Sequence, residues 1–270
     1  MTPSPSSFSW EPIFVVGAAV AVGGYYRSAR ATAVPWWRAA LFGAGIALVV
    51  GGIASPIETI ATHYLLLFHL LQNVMMADWA PPLLILGLTP AMRNAVARVG
   101  GMPVRVLTRP RVALLLWLLT WFGVHLPAFY EFALRHPWAL NAEHALLLLA
   151  GLVFWWPVLA KEPHGLSTPL ILAYLGAAFA ISSFLGLAFI FSTTPFYDFY
   201  AEAPRLWGLS APKDQNLGGI LMNAEQTIVF LSALVYFVLR LLDEEQELQL
   251  LAEEQDRRRE RELRGGPAAP

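Results

Sequence analysis

Between Glu162 and Asp198 the chain carries no Asp, Glu, Lys or Arg. A run of that length has one natural solvent, because a helix that crosses a bilayer needs about 20 mostly apolar residues. The rest of the chain reads the same way when it is cut at its charges. Candidate spans fall at residues 10–26, 39–56, 61–77, 112–124 (reaching toward 127), 144–160, 169–192 and 217–239. Hydrophobic residues make up 57% of the 270 and charged residues 14%, where a soluble domain carries about 25% charged. The expected fold is all-α: a polytopic membrane protein of seven transmembrane helices over residues 1–242, then a charged helical tail over 243–270.

The same composition closes off other classes. Lys+Arg (18) and Asp+Glu (19) nearly cancel, so no basic excess invites nucleic acid. Cys is absent, which removes disulfides, Cys-type zinc sites, iron–sulfur ligation and thiol catalysis. No Lys or Arg precedes Arg27, so the positive n-region of a cleaved signal peptide is missing and the first segment reads as a retained helix.

Orientation follows from where the cations fall. One set of connections holds Arg27, Arg30 and Arg38, then Arg93, Arg98, Arg105, Arg109 and Arg111, then Lys161; the tail adds Arg240, Arg257, Arg258, Arg259, Arg261 and Arg264. The opposite set holds only Arg135, Arg205 and Lys213. Fifteen against three places the N-terminus outside and the C-terminus in the cytoplasm. The Glu-, Gln-, Arg- and Leu-rich tail from Asp243 to Arg264 reads as a solvated extension of the last helix, with fraying over residues 265–270.

This topology sorts the polar residues. Ionisable groups inside a membrane are costly, face the bundle interior and mark function. His63, His69, His125, His136 and His144, five of the six histidines, converge on the outer side, and only His164 lies inside. On the third span His69, Gln72, Asn73 and Met76 stand at i, i+3, i+4 and i+7 and so form one stripe. Met75 and His63 point away from it. On the seventh, Gln215, Met222, Glu225 and Gln226 form a second stripe, with Gly218 and Gly219 letting a neighbouring helix approach. Asp78 lies about 180° from His69 on an ideal helical wheel, which suits interfacial snorkelling or an Arg partner. Pro81 and Pro82 interrupt the third span, leaving a kinked extension and an interfacial segment both open for residues 83–88.

Imidazole and thioether without thiolate suit copper better than calcium or magnesium, with zinc through His and carboxylate also possible. The candidate metal ligands are His69, His125, His144, Met76, Met222, Gln72, Glu225 and His63. Each also has a structural role open to it: hydrogen bonding to a neighbouring helix for the polar groups, core filling for the methionines.

Three blocks resemble a known family. His69-Leu70-Leu71-Gln72-Asn73 with Ala80-Pro81-Pro82-Leu83-Leu84 is similar to the His-x-x-Gln-His…Ala-Pro-Pro-Leu-Leu signature of the seven-span CtaG assembly factors of cytochrome c oxidase. His125-Leu126-Pro127, Tyr130, His136-Pro137-Trp138, Glu143-His144 and Phe154-Trp155-Trp156-Pro157 form the second block, and Asp214-Gln215-Asn216-Leu217-Gly218-Gly219 with Met222 the third. The resemblance implies a non-enzymatic, multi-pass protein of the bacterial plasma membrane. It would bind or deliver copper, as Cu(I), on the extracytoplasmic side, with an oxidase subunit as partner. An unrelated Cys-dependent copper chaperone of the same name is excluded by the absence of Cys. Asn73, Asn141 and Asn223 depart from the pattern, the first where the family carries a second His. The alternatives are a metal-free scaffold for an oxidase subunit, or a seven-span zinc hydrolase acting on lipid through His63, His125, His144 and Asp214.

Overall fold

The computed structural model describes residues 3–31, 33–160 and 162–264, with side chains as far as 261. Lys161, the Arg264 side chain and the fraying expected at 265–270 lie outside the described residues. The described chain is all-helical. Twelve α-helices follow one another: α1 (Pro12–Ala31), α2 (Trp36–Ile53), α3 (Pro56–His63), α4 (Leu66–Val74), α5 (Ala80–Gly87), α6 (Pro90–Leu107), α7 (Pro110–Val124), α8 (Pro127–Arg135), α9 (Pro137–Leu159), α10 (Thr168–Phe191), α11 (Asp198–Glu202) and α12 (Ala211–Arg264). A π-helical turn, Met75–Trp79, joins α4 to α5.

Proline sets many of these starts. Nine of the twelve helices carry it in their first two positions, where at a true helix start its missing N–H would have had no intrahelical partner. Ser55 and Thr89 add side-chain caps, accepting from the backbone N–H of Ile57 and Met92. Gly101, at φ 54°, turns α6 sharply inside its length, a conformation that suits a residue without Cβ.

By length and apolarity α2, α9, α10 and α12 can each cross a membrane; two bent pairs raise the number to six. One pair is Leu66–Gly87 with α6, bent by 110°, and the other is α7 with α8, bent by 70°. The third span expected from residue 61 is divided: α3 ends at His63, and the next helix starts at Leu66. Beyond it Pro81 and Pro82 continue the helix, so residues 83–87 form a helical extension, and the sharp bend of 110° comes after Gly87. The π-turn makes the extension possible, since its wider ring is bridged from the Ala80 N–H to the Met75 carbonyl just ahead of the prolines.

The core of the described residues has two large apolar clusters and a small third one around Ile60, Tyr64 and Leu65. One of the large clusters is built around Met76, Trp121, Tyr130, Phe189, Tyr197, Tyr200 and Met222, the other around Trp117, Phe154, Trp155, Leu175 and Phe230. The most extensive helix pair is α10 with α12. Glycines set its spacing: a Cβ on Gly219 would stand 2.7 Å from the Gly186 carbonyl oxygen, so only glycine lets the two backbones lie so close. The helix α12 continues without a break into the tail, where every residue from 245 to 261 is exposed.

Candidate functional site

The stripe His69, Gln72, Asn73, Met76 faces inward as a unit, each residue at 0% exposure. Two of its members, His69 and Asn73, meet α9 and the turn after α7. Glu143 Oε1 lies 3.2 Å from His69 Nε2 and accepts from Asn73 Nδ2 at 3.1 Å. Asn73 also lies 3.3 Å from His125 Nε2, while His125 Nδ1 reaches the Trp121 carbonyl at 2.6 Å. A carbonyl only accepts, so His125 donates from Nδ1 and offers its Nε2 lone pair to the Asn73 amide. The amide at position 73 can donate to Glu143 and His125 at once, which a single imidazole nitrogen could not.

His69 is held at both ends. Its Nδ1 lies 2.9 Å from the Tyr200 hydroxyl, and that hydroxyl gives its only proton to the Ala61 carbonyl at 2.6 Å. Nδ1 must therefore be the donor, leaving Nε2 and Glu143 to share a proton between them. His144 completes the group from the next position on α9. Its ring centroid is 5.6 Å from that of His69, and it is 1% exposed. Neither of its nitrogens has a hydrogen-bond partner, nor do Glu143 Oε2 and the Tyr130 hydroxyl nearby.

Aromatic side chains wall this chamber. Tyr130 on α8 stacks on Tyr197 at 4.1 Å and packs against His69 at 4.7 Å. Tyr197 donates to the His125 carbonyl at 2.8 Å. Phe14 of α1 meets His144 edge-on at 6.4 Å. Tyr197 and Tyr200 come from the connection after α10, and three other residues pin that connection in place. Glu131 accepts from the Phe199 N–H, Gln215 bonds the backbone at both Thr194 and Phe196, and Asn216 gathers the carbonyls of Phe189, Ile190 and Ser192. Asp214 accepts from the Leu66 and Leu67 N–H groups at 2.8 and 3.0 Å, capping α4 from the first turn of α12. The block from Asp214 to Asn216 thus shapes the chamber by holding its helix ends.

Of the eight candidate ligands, His69, His125 and His144 come together. Met76 and Met222 are buried in the adjoining apolar cluster, with the Met75 and Met76 methyl groups against Gly52. Gln72 turns the other way and donates to the Gly52 carbonyl and to Glu58, a buried carboxylate of α3. His63 bonds Thr62 and the Thr59 carbonyl on its own helix. Glu225 lies deeper, accepting from Trp79 Nε1 at 2.7 Å and facing Asp78. Asp78 is therefore not interfacial and has no Arg beside it; it is fully buried against Glu225 and Gln226. The wheel failed here because the π-turn advances less per residue than 100°, swinging Asp78 toward α12. Among the described residues no group of three or more His, Asp or Glu stands in position to hold a metal ion.

The residues that the sequence did not single out are Tyr197 and Tyr200 in the chamber and Glu58 beside Gln72; Tyr130 and Glu143 stood in the second block without an assigned role. Glu143 had a readable signal, its place next to His144 in a span. Tyr197 and Tyr200 had none, because a connection and its short helix show no periodicity that aims a side chain.

No curated protein and no solved structure matches the chain. A family model does: that of the cytochrome c oxidase caa3 assembly factor (Caa3_CtaG) covers residues 20–244. That range takes in every residue of the chamber except Phe14. The chain belongs to the caa3 cytochrome c oxidase assembly factor family.

Proposed function

We propose that the protein is a non-enzymatic assembly factor that takes Cu(I) as its cargo in the His69–His144 chamber and passes it to an oxidase subunit. The observation that carries this reading is the set of orphaned polar atoms in one buried place. His144 Nδ1 and Nε2, Glu143 Oε2 and the Tyr130 hydroxyl all lack partners. Each such group costs about 1–3 kcal/mol when left unsatisfied, so their convergence suits a chamber that receives a guest. His144 offers a free imidazole lone pair. His69 is the second nitrogen ligand once Nε2 is released from Glu143. Cu(I) accepts two imidazoles without a third ligand, and soft or borderline donors with no thiolate favour it over hard cations.

In this reading α1, the first span, brings the total to seven, the N-terminus is outside and the α12 tail is a cytoplasmic arm separate from the transmembrane domain. The chamber then lies in the extracytoplasmic half of a protein of the bacterial plasma membrane. The cation distribution and the exposed apolar side chains of α1, among them Ile13, Val16 and Val20, support this arrangement.

The test is copper stoichiometry on the detergent-purified protein under reducing conditions. One Cu(I) per chain is expected, lost in His144→Ala and weakened in His69→Ala. No bound copper, together with normal oxidase copper content in a deletion strain, would overturn the proposal. A second reading, a metal-free scaffold for the same oxidase, is favoured by the engagement of both nitrogens of His69 and of His125. It requires that His69→Ala and His144→Ala leave oxidase assembly intact. A lipid-directed zinc hydrolase finds no support, because Asp214 is committed to capping α4 and His63 to its own helix.

A further inference from the structure

A second feature begins beside the chamber, at Phe14 and Ala145, and runs away from it toward α5 and α6. A cavity of about 540 Å³ runs between α1 and α9, floored by α2 and α5 and closed by α6. Its walls are almost wholly apolar, including Ile46, Val49, Ile85, Leu149 and Trp156. On α1 the lining residues Gly17, Ala18 and Ala21 are small, and a Cβ on Gly17 would meet nothing within 4 Å. The space is that of one long acyl chain. A transmembrane helix, with a diameter of about 10–12 Å including side chains, does not fit it.

The mouth of this groove carries two cations. Arg38 sits one turn before Phe42, a lining residue, and its Nη1 donates to the carbonyls of Leu86 and Leu88 at 2.8 and 2.6 Å. Arg93 sits three residues before Val96, also lining, and its Nη1 donates to the Leu159 carbonyl at 2.8 Å. Both guanidiniums are half-buried and near enough for each charge to act on the other. Neither has an acidic partner among the described residues. Backbone carbonyls fix their position but do not neutralise them. Two immobilised like charges at the opening of an apolar slot are complementary to an anion that carries a hydrocarbon tail. The flanking Trp36 and Trp37, 81% and 42% exposed, place this mouth at headgroup level.

We infer that the groove is a binding site for one anionic phospholipid, its phosphate held by Arg38 and Arg93 and one acyl chain lying between α1 and α9. The inference rests on the bundle being embedded in a membrane and is independent of copper.

The experiment is native mass spectrometry of the full-length protein in detergent, titrated with phosphatidylglycerol and, separately, with phosphatidylcholine. One retained phosphatidylglycerol per chain is expected, with at least a tenfold preference over phosphatidylcholine. Arg38→Gln/Arg93→Gln should erase the preference, and Arg38→Lys/Arg93→Lys should keep most of it. Because Arg38 also holds the end of α5, Arg93→Gln alone serves as the milder variant, with a partial loss expected. Gly17→Phe, which fills the slot, should reduce retention of both lipids alike. Equal retention of the two lipids by the unmodified protein would overturn the inference. So would a preference that survives the double Gln substitution, or displacement of the lipid by millimolar inorganic phosphate, which would mean a free-anion site.

Discussion

Asp214 shows how one side chain can govern a site that it does not enter. Its two oxygens satisfy the first free N–H groups of α4, the helix that carries His69 and Asn73. Asp214→Ala should cost about 1–2 kcal/mol of stability, read as a lowered thermal midpoint in detergent. It should also loosen copper retention, although residue 214 is no ligand. Asp214→Asn, which keeps one acceptor, should recover part of both losses. His69 and Asn73 were readable at this scale, since i, i+4 spacing on an amphipathic stretch assigns both to one face. Their partner Tyr200 was not readable, because it arrives from a connection whose path depends on Glu131, Gln215 and Asn216.

Among the elements, the α10–α12 pair and the π-turn decide how the interior is arranged. The contact of Gly219 with the Gly186 carbonyl leaves no room for a side chain, so Gly219→Val should destabilise the bundle by about 1–3 kcal/mol. Gly51→Val, at a glycine on α2 with open space around it, is the control and should cost much less. Thermal melts of the two variants compare them directly. The close approach of the last helix was legible from Gly218-Gly219. The pairing of Glu225 with Asp78 was not, because it depends on a five-residue change of helical pitch that proline chemistry allows but residue spacing does not announce.

For the whole molecule, the absence of Cys makes topology directly measurable, since an introduced Cys is the only thiol in the chain. In intact cells, Ser6→Cys should react with a membrane-impermeant maleimide, whereas Gln249→Cys should react only after permeabilisation. The reverse pattern would invert the bundle and place the chamber on the cytoplasmic side. The root of the tail is tied to the body by Glu244, which accepts from the Thr168 hydroxyl at 2.9 and 2.8 Å and from Arg240 at 2.8 Å. The Thr168 hydrogen bond and Arg240 hold the Glu244 carboxyl below the usual glutamate range. A depressed folded-state pKa stabilises above the unfolded value and loses its effect as pH falls through the folded one. Acidification below the ordinary glutamate range should therefore speed amide exchange in the first turn of α10. Glu244→Gln should remove that pH dependence.

The sequence by itself determined that this chain is built of helices suited to a membrane, that His69 and Asn73 share one face, and which family it resembles. Those conclusions rest on local quantities: apolar length, charge placement and helical spacing, each fixed by a short window of residues. The tertiary structure alone decided which histidines meet, that Asn73 bridges Glu143 and His125, and that tyrosines from a distant connection wall the chamber. It also drew the apolar groove with Arg38 and Arg93 at its mouth. These features join residues far apart in the chain. They follow from how helices pack and where connections are pinned, and no short stretch of sequence encodes that.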